Sequence, residues 1–156
     1  MLGLMQDRPL LIWQLLEHGA RHHGQVEIVS RRVEGDVHRY TYRDALHRAY
    51  RVANAIDALG IAPGERIATL AWNGYRHFEL YYGVSGSERI LHTLNPRLTA
   101  EQLAWIVADA DDRVLCFDLS FLPLVQAVHA HCPSVRHWIA LCAADALPKE
   151  TGIPNL

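Results

Sequence analysis

Lysine is almost missing from this chain. Lys149 stands alone among 156 residues, arginine supplies the remaining cations, and Arg31-Arg32 is the only adjacent basic pair. With a formal net charge of -2 there is no basic stripe to hold a polyanion, which argues against a nucleic-acid binder that works by electrostatics. Cysteine is also sparse. Cys116, Cys132 and Cys142 fall in a predicted strand, a helix end and a strand, at spacings that fit neither a Cys-x-x-Cys clip nor a disulfide framework. A reduced, cytoplasmic setting is therefore expected. No uncharged apolar run reaches the roughly 20 residues that a membrane span needs. The start at Met1 contains Asp7 and Arg8 and lacks a basic leader and a small-residue cleavage site, so no signal peptide is expected. Internal repeats and low-complexity tracts are absent as well.

What is present is apolar residue in periodic patterns. Hydrophobic residues make up 50% of the chain, enough for one sizeable core in a length short for two domains. Asp7 and Pro9 read as start signals for a helix with apolar positions Leu11, Leu15, Leu16 and Ala20 and a stop at Gly24. Residues 27–32 and 37–42 flank Val33-Glu34-Gly35-Asp36, the pattern of a β-hairpin. Thr41 with Asp44 forms a capping-box pair, and Ala45, Ala49, Val52, Ile56 and Leu59 make one helical stripe ending at Gly60.

Residues 66–72 are a mostly apolar run suited to a strand buried on both faces, and Asn73-Gly74 caps the helix that follows. That helix runs through Tyr81 and Tyr82 to Gly86, where a left-handed glycine ends it, and 90–94 is expected as a buried strand broken by Asn95-Pro96. Thr99 with Gln102 makes a second capping box ahead of Leu103, Ile106, Val107 and Ala110. Strands are expected at 114–117 and 135–141 with a helix over 121–131 between them, while 143–156 carries no assignable element. Alternating strands and helices predict an α/β fold: an open, mostly parallel sheet with helices on both faces, preceded by an N-terminal β-hairpin.

In such sheets ligands gather beyond the carboxyl ends of the strands. Trp72-Asn73-Gly74, Asn95-Pro96-Arg97 and Asp118-Leu119-Ser120 occupy those positions, so Asn73, Asn95 and Asp118 are the substrate-binding candidates. The competing reading is that Asn95 and Asp118 simply cap turns and helix starts. Gly83-Val84-Ser85-Gly86 sits at the end of a helix, which excludes both a nucleophile elbow and a phosphate cradle and points to tight packing or a helix stop.

Among ten histidines, His22-His23, His129 and His131 are the nearest clusters, but adjacent and i, i+2 pairs diverge on a helix. No metal ligand and no catalytic residue is assigned. His92 reads as a hydrogen-bonded core residue, with no carboxylate partner identifiable from sequence. Glu88-Arg89, at the start of a strand expected to be central, must reach solvent or a partner.

The run Tyr81-Tyr82-Gly83-Val84-Ser85-Gly86 followed by His92-Thr93-Leu94-Asn95-Pro96-Arg97-Leu98 resembles the second core segment of the AMP-forming acyl-CoA synthetases, in the adenylate-forming superfamily of luciferases and peptide-synthetase adenylation domains. Residues 27–32, 40–45 and 117–124 are also similar to that family, most closely to its fatty-acyl and methylmercaptopropionyl-CoA ligase group. The family's Ser/Thr/Gly-rich phosphate loop ending in Pro-Lys-Gly does not occur, because Lys149 follows Pro148 but precedes Glu150. Its adenine-binding segment, magnesium-binding Thr-Glu pair and mobile C-terminal domain are likewise absent.

The resemblance implies residues 1–142 of a partial N-terminal domain and a truncated connecting segment at 143–156. It further implies a parent enzyme using ATP, magnesium and coenzyme A, an inactive scaffold role for this segment, and the remainder of the ligase chain or a second copy as partner. The rival expectation is a self-standing α/β interaction or ligand-binding module. A dinucleotide-binding enzyme is disfavoured by the lack of a Gly-x-Gly-x-x-Gly opening a helix.

Overall fold

A computed structural model of the chain describes residues 3–4 and 6–156. The expectation about a leader at Met1 therefore falls partly outside the described residues. Helix α1 is Trp13–His22, starting later than Asp7 and Pro9 suggest. Leu10 is fully exposed and Leu11 is 45% exposed, so nothing there offsets the cost of nucleating helix. Helical order begins where Leu16 and Ala20 can be buried.

Strands β1 (Glu27–Arg31) and β2 (Val37–Thr41) pair antiparallel as the expected hairpin. Thr41 then caps α2 (Tyr42–Ala58), its hydroxyl accepting from the Asp44 N–H while the Asp44 carboxylate accepts from the Thr41 N–H. Gly60 lies at φ +70 just past the end of α2, a left-handed turn that glycine adopts without strain.

Strands β3 (Arg66–Leu70), β4 (Ile90–Thr93), β5 (Val114–Phe117) and β6 (His137–Ala140) form a parallel sheet in the order β4-β3-β5-β6. Helix α3 (Tyr75–Ser85) links β3 to β4, α4 (Ala100–Asp109) links β4 to β5, and α5 (Leu122–Val128) links β5 to β6. The two faces of the sheet build two cores. Ala68, Leu70, Leu115, Phe117 and Trp138 pack with Leu103 and Val107 of α4 and Val125 and Val128 of α5. Ile67, Val114 and Cys116 pack with Ile56 of α2 and Leu80 and Val84 of α3. This period-two division of β3 and β5 is what a strand covered on both faces requires.

The chain leaves β3 toward β4 over one face, then crosses back to β5 and on to β6 over the other. The switch point of this doubly wound sheet therefore lies between β3 and β5.

Three expectations need correction. Gly86 is right-handed, at φ -75, and the left-handed residue is Glu88, at φ 62. The space at Gly86 is instead set by the Tyr82 carbonyl, 2.6 Å from where an added Cβ would stand, and by the Trp13 Cβ at 3.3 Å. Strand β4 is an edge strand rather than a buried one, with Ile90 46% exposed. Arg89 beside it is satisfied, as expected of a charge near a core, by the Ile61 and Ser87 carbonyls and by Asp57 at 2.8 Å. Finally, the tail at 143–156 is packed: Ile153 is buried in the α4–α5 core, and the Trp138 N–H donates to the Asn155 carbonyl alongside β6.

Candidate functional site: the crevice between β3 and β5

Strand β3 ends at Leu70 and β5 at Phe117, and the residues just beyond them meet. The carboxylate of Asp118 accepts the Trp72 backbone N–H at 2.7 Å, tying together two strand exits 46 residues apart. Asp118 is buried, and burial pushes its carboxyl above the ordinary carboxylate range against the opposing pull of that hydrogen bond. The Trp72 indole N–H donates to the Ser120 hydroxyl at 3.0 Å, and its ring lies 5.0 Å from Phe121.

One turn further along, α3 enters the same crevice. Neither Asn73 nor Gly74 caps it with a side chain. Ser30 of β1 does so instead, its hydroxyl accepting from the Tyr75 N–H at 3.0 Å. His77 lies beneath, with Nε2 3.0 Å from the Thr69 hydroxyl, and burial lowers its pKa and keeps the ring neutral. Between β1 and the start of α3 opens a cavity of about 390 Å³, lined by Ile28, Ser30, Asn73, Tyr75, His77 and Tyr81. This lies within the size range of small-molecule pockets. A cleft of about 40 Å³ continues from it to Asp118, past Arg31, Trp72, Asn73 and Arg76.

Two arginines beside the cleft are paired. Arg76 makes a two-pronged bond to Glu34, at 2.7 and 3.2 Å, and holds the Glu34 carboxyl below its usual range. Arg32 is bound by Asp36. Below the hairpin, Arg48 bonds the buried Glu79 at 2.6 Å, and His38 stacks on Tyr75 with ring centroids 3.9 Å apart. These pairs fix the hairpin against α2 and α3 and so shape one wall of the cavity.

Of the three candidates, Asn73 and Asp118 line one cleft, whereas Asn95 does not join them. Asn95 is exposed beyond β4, on the far side of β3, and its side chain accepts the Arg97 N–H at 3.0 Å in a local turn. Ser30 and His77 belong to the crevice although sequence reasoning does not single them out. Alternation along β1 places Ser30 on the inward face, but its target on α3 is set by tertiary packing. His92 is hydrogen-bonded, as expected: its Nδ1 lies 2.9 Å from the fully buried Asp112 carboxylate, a partner the sequence does not reveal.

Among the described residues no group of three or more His, Cys, Asp or Glu is arranged to hold a metal. The Thr69 hydroxyl beside His77 is wholly enclosed, so this hydroxyl–imidazole pair cannot reach a substrate. The crevice can bind and orient, and its walls are rigidly braced.

Sheet and switch point together define an open, doubly wound α/β domain. A family model described as AMP-binding enzyme matches residues 15–153, and the chain belongs to that family. It is 48% identical over 155 residues to a 3-methylmercaptopropionyl-CoA ligase of Ruegeria lacuscaerulensis, covering 98% of this chain and 29% of that protein. Identity is 42% over 137 residues to a long-chain-fatty-acid–CoA ligase of Thermus thermophilus, covering 88% of this chain and 25% of the relative. The solved N-terminal domain of FACL13 from Mycobacterium tuberculosis superposes with a TM-score of 0.77 at 26% identity, over 85% of this chain and 34% of that one. The chain thus spans between a quarter and a third of the length of these relatives. No helix among the described residues is long and apolar enough to cross a membrane.

Proposed function

We propose that this chain is the N-terminal portion of a medium- or long-chain fatty-acyl-CoA ligase. In the whole enzyme a carboxylate attacks the α-phosphorus of ATP, giving an acyl-adenylate and pyrophosphate, and the thiol of coenzyme A then displaces AMP. Magnesium and cationic groups stabilise the phosphoryl charge. On this reading they come from the rest of the polypeptide, because the crevice residues pair no accessible nucleophile with a base. The present segment is scaffold: it holds one wall of the substrate region and is inactive alone. What carries the reading is the 48% identity to a CoA ligase sustained over 155 residues.

The partners on this reading are the remainder of the ligase chain and a second copy, in the cytoplasm and without nucleic acid. Trp72, Ile90 and Trp105, at 52%, 46% and 66% exposure, are apolar surface suited to being covered. The isolated chain should therefore self-associate, and a monodisperse monomer by light scattering at moderate concentration counts against this part of the reading.

A chimera tests the activity. The Ruegeria lacuscaerulensis ligase with its matching first segment replaced by this chain should release pyrophosphate with ATP, magnesium and a panel of fatty acids. This chain alone should give no heat with ATP–magnesium or a non-hydrolysable acyl-adenylate mimic. A folded but inactive chimera, or saturable nucleotide binding by the chain alone, overturns the scaffold reading.

A further inference from the structure

The last two turns of α1 carry an unused pair of imidazoles. His18 and His22 stand at i, i+4 on an exposed face, and their ring centroids are 4.5 Å apart with planes inclined at 42°. Residues at this spacing lie one above the other on a helix, so both rings can turn a nitrogen toward one point. His23 follows, its ring centroid 6.3 Å from that of His18 and nearly edge-on to it. The Glu17 carboxylate next to them is engaged by Arg21 at 3.5 Å, which leaves the two imidazoles to each other.

We propose that His18 and His22 supply the two protein ligands of a site for a borderline divalent transition metal ion, of the class of copper(II), nickel(II) or zinc. Imidazole nitrogen suits these ions, which bind it at about 2.0–2.1 Å in the case of zinc. Two nitrogens on one helical face act as a chelate, and water fills the remaining positions, since the described residues supply no third ligand converging there. The location helps. The pair lies in the carboxyl-terminal half of Trp13–His22, and a cation at that end faces the negative end of the helix dipole and the last unpaired carbonyls. Carboxylates contribute nothing to the set, which favours nitrogen-preferring ions over magnesium and calcium. This site stands apart from the β3–β5 crevice and does not depend on the ligase reading. An ion held there clips one turn of α1, the helix whose Trp13 and Leu16 line an apolar cavity shared with α2 and α3.

The test is calorimetric titration of the untagged chain with copper(II), nickel(II) and zinc chlorides, with electron paramagnetic resonance of the copper form. One ion per chain is expected, tightest for copper, with a spectrum showing nitrogen ligation. His18→Ala and His22→Ala should each weaken binding by roughly a hundredfold, the effect of removing one arm of a bidentate ligand. His18→Gln supplies a second variant at that position, and circular dichroism checks that each variant keeps its helix. His47→Ala, on the exposed surface of α2, should bind as the parent does. The proposal is overturned by no saturable uptake, by uptake indifferent to both His18 and His22 variants, or by uptake that depends on His47 instead.

Discussion

The imidazole of His92, on the edge strand β4, is held by a carboxylate with no solvent exposure at all. Its Nδ1 lies 2.9 Å from Asp112, which follows α4 and precedes β5. Burial raises the Asp112 carboxyl above its usual range, with the hydrogen bond from His92 partly opposing it. The pair stitches the outermost strand to the loop that leads into β5, two strands away in the sheet. His92→Ala should cost about 1–3 kcal/mol, the penalty of leaving the buried Asp112 carboxyl without its partner. A double-mutant cycle with Asp112→Ala should then give a coupling of at least about 0.5 kcal/mol, read from urea midpoints, and strict additivity would show that the contact stabilises nothing.

Gly83 is fixed by packing. A Cβ there would stand 2.7 Å from both Cβ and Cγ1 of Val52 and 2.8 Å from the Ala49 carbonyl of α2. Gly83→Ala must push two helices apart, so a loss of about 1–3 kcal/mol is expected despite alanine's better helix propensity. Adding Val52→Ala should recover only part of the loss, because it removes Cγ1 but keeps the Cβ at 2.7 Å, and the Ala49 carbonyl also remains in the way. Thermal unfolding of the single and double variants decides the matter, and full recovery would locate the whole strain in the Val52 side chain.

Asp118 gives a pH signature. Its folded pKa is raised, so the folded chain holds this proton more tightly than the unfolded chain does. The stability it contributes is fully present below the ordinary carboxylate range and is lost as pH rises through the raised folded value. Asp118→Asn keeps an oxygen for the Trp72 N–H and removes the titration. Its advantage over the parent should therefore grow as pH rises across that window, measured as urea midpoints over a pH series. Parallel pH curves for the two proteins would contradict the burial argument.

The Arg48–Glu79 pair combines an enclosed carboxylate, 5% exposed, with an arginine 42% open to solvent. Removing Arg48 strands the buried charge. Because water reaches the arginine side, Arg48→Ala should fall toward the low end of the roughly 3–5 kcal/mol known for broken buried pairs. Replacing both partners, as Arg48→Met with Glu79→Leu, should restore much of the loss. A double variant as unstable as Arg48→Ala alone would show that the pair does more than satisfy Glu79.

Features written in a few consecutive residues are legible from the amino-acid order alone. Both capping boxes form as their Thr-x-x-Asp and Thr-x-x-Gln spacings dictate, since each partner lies three residues away. The apolar run of β3 reads as a strand covered on both sides, and it is. The same logic misplaces β4, because Ile90-Leu91 is apolar whether a strand lies inside a sheet or at its rim. Asp118 is legible as a residue beyond a strand end, whereas its partner, the Trp72 N–H, is not: a backbone donor has no sequence signature. Asp112 and His92, 20 residues apart, become partners only through the crossover of α4. The i, i+4 spacing of His18 and His22 is also present in the sequence, but the adjacent His22-His23 is the more conspicuous cluster and masks it.

The sheet's two rims are unequal. At β6 the packed tail sets the Asn155 carbonyl against Trp138 and the Asn155 side-chain amide against the Arg136 carbonyl, while no strand flanks β4 on its outer side among the described residues. Lateral growth of this sheet is therefore one-sided. Two copies that pair rim to rim through β4 leave only tail-blocked rims exposed, so such an association stops at a closed pair instead of propagating into a fibre.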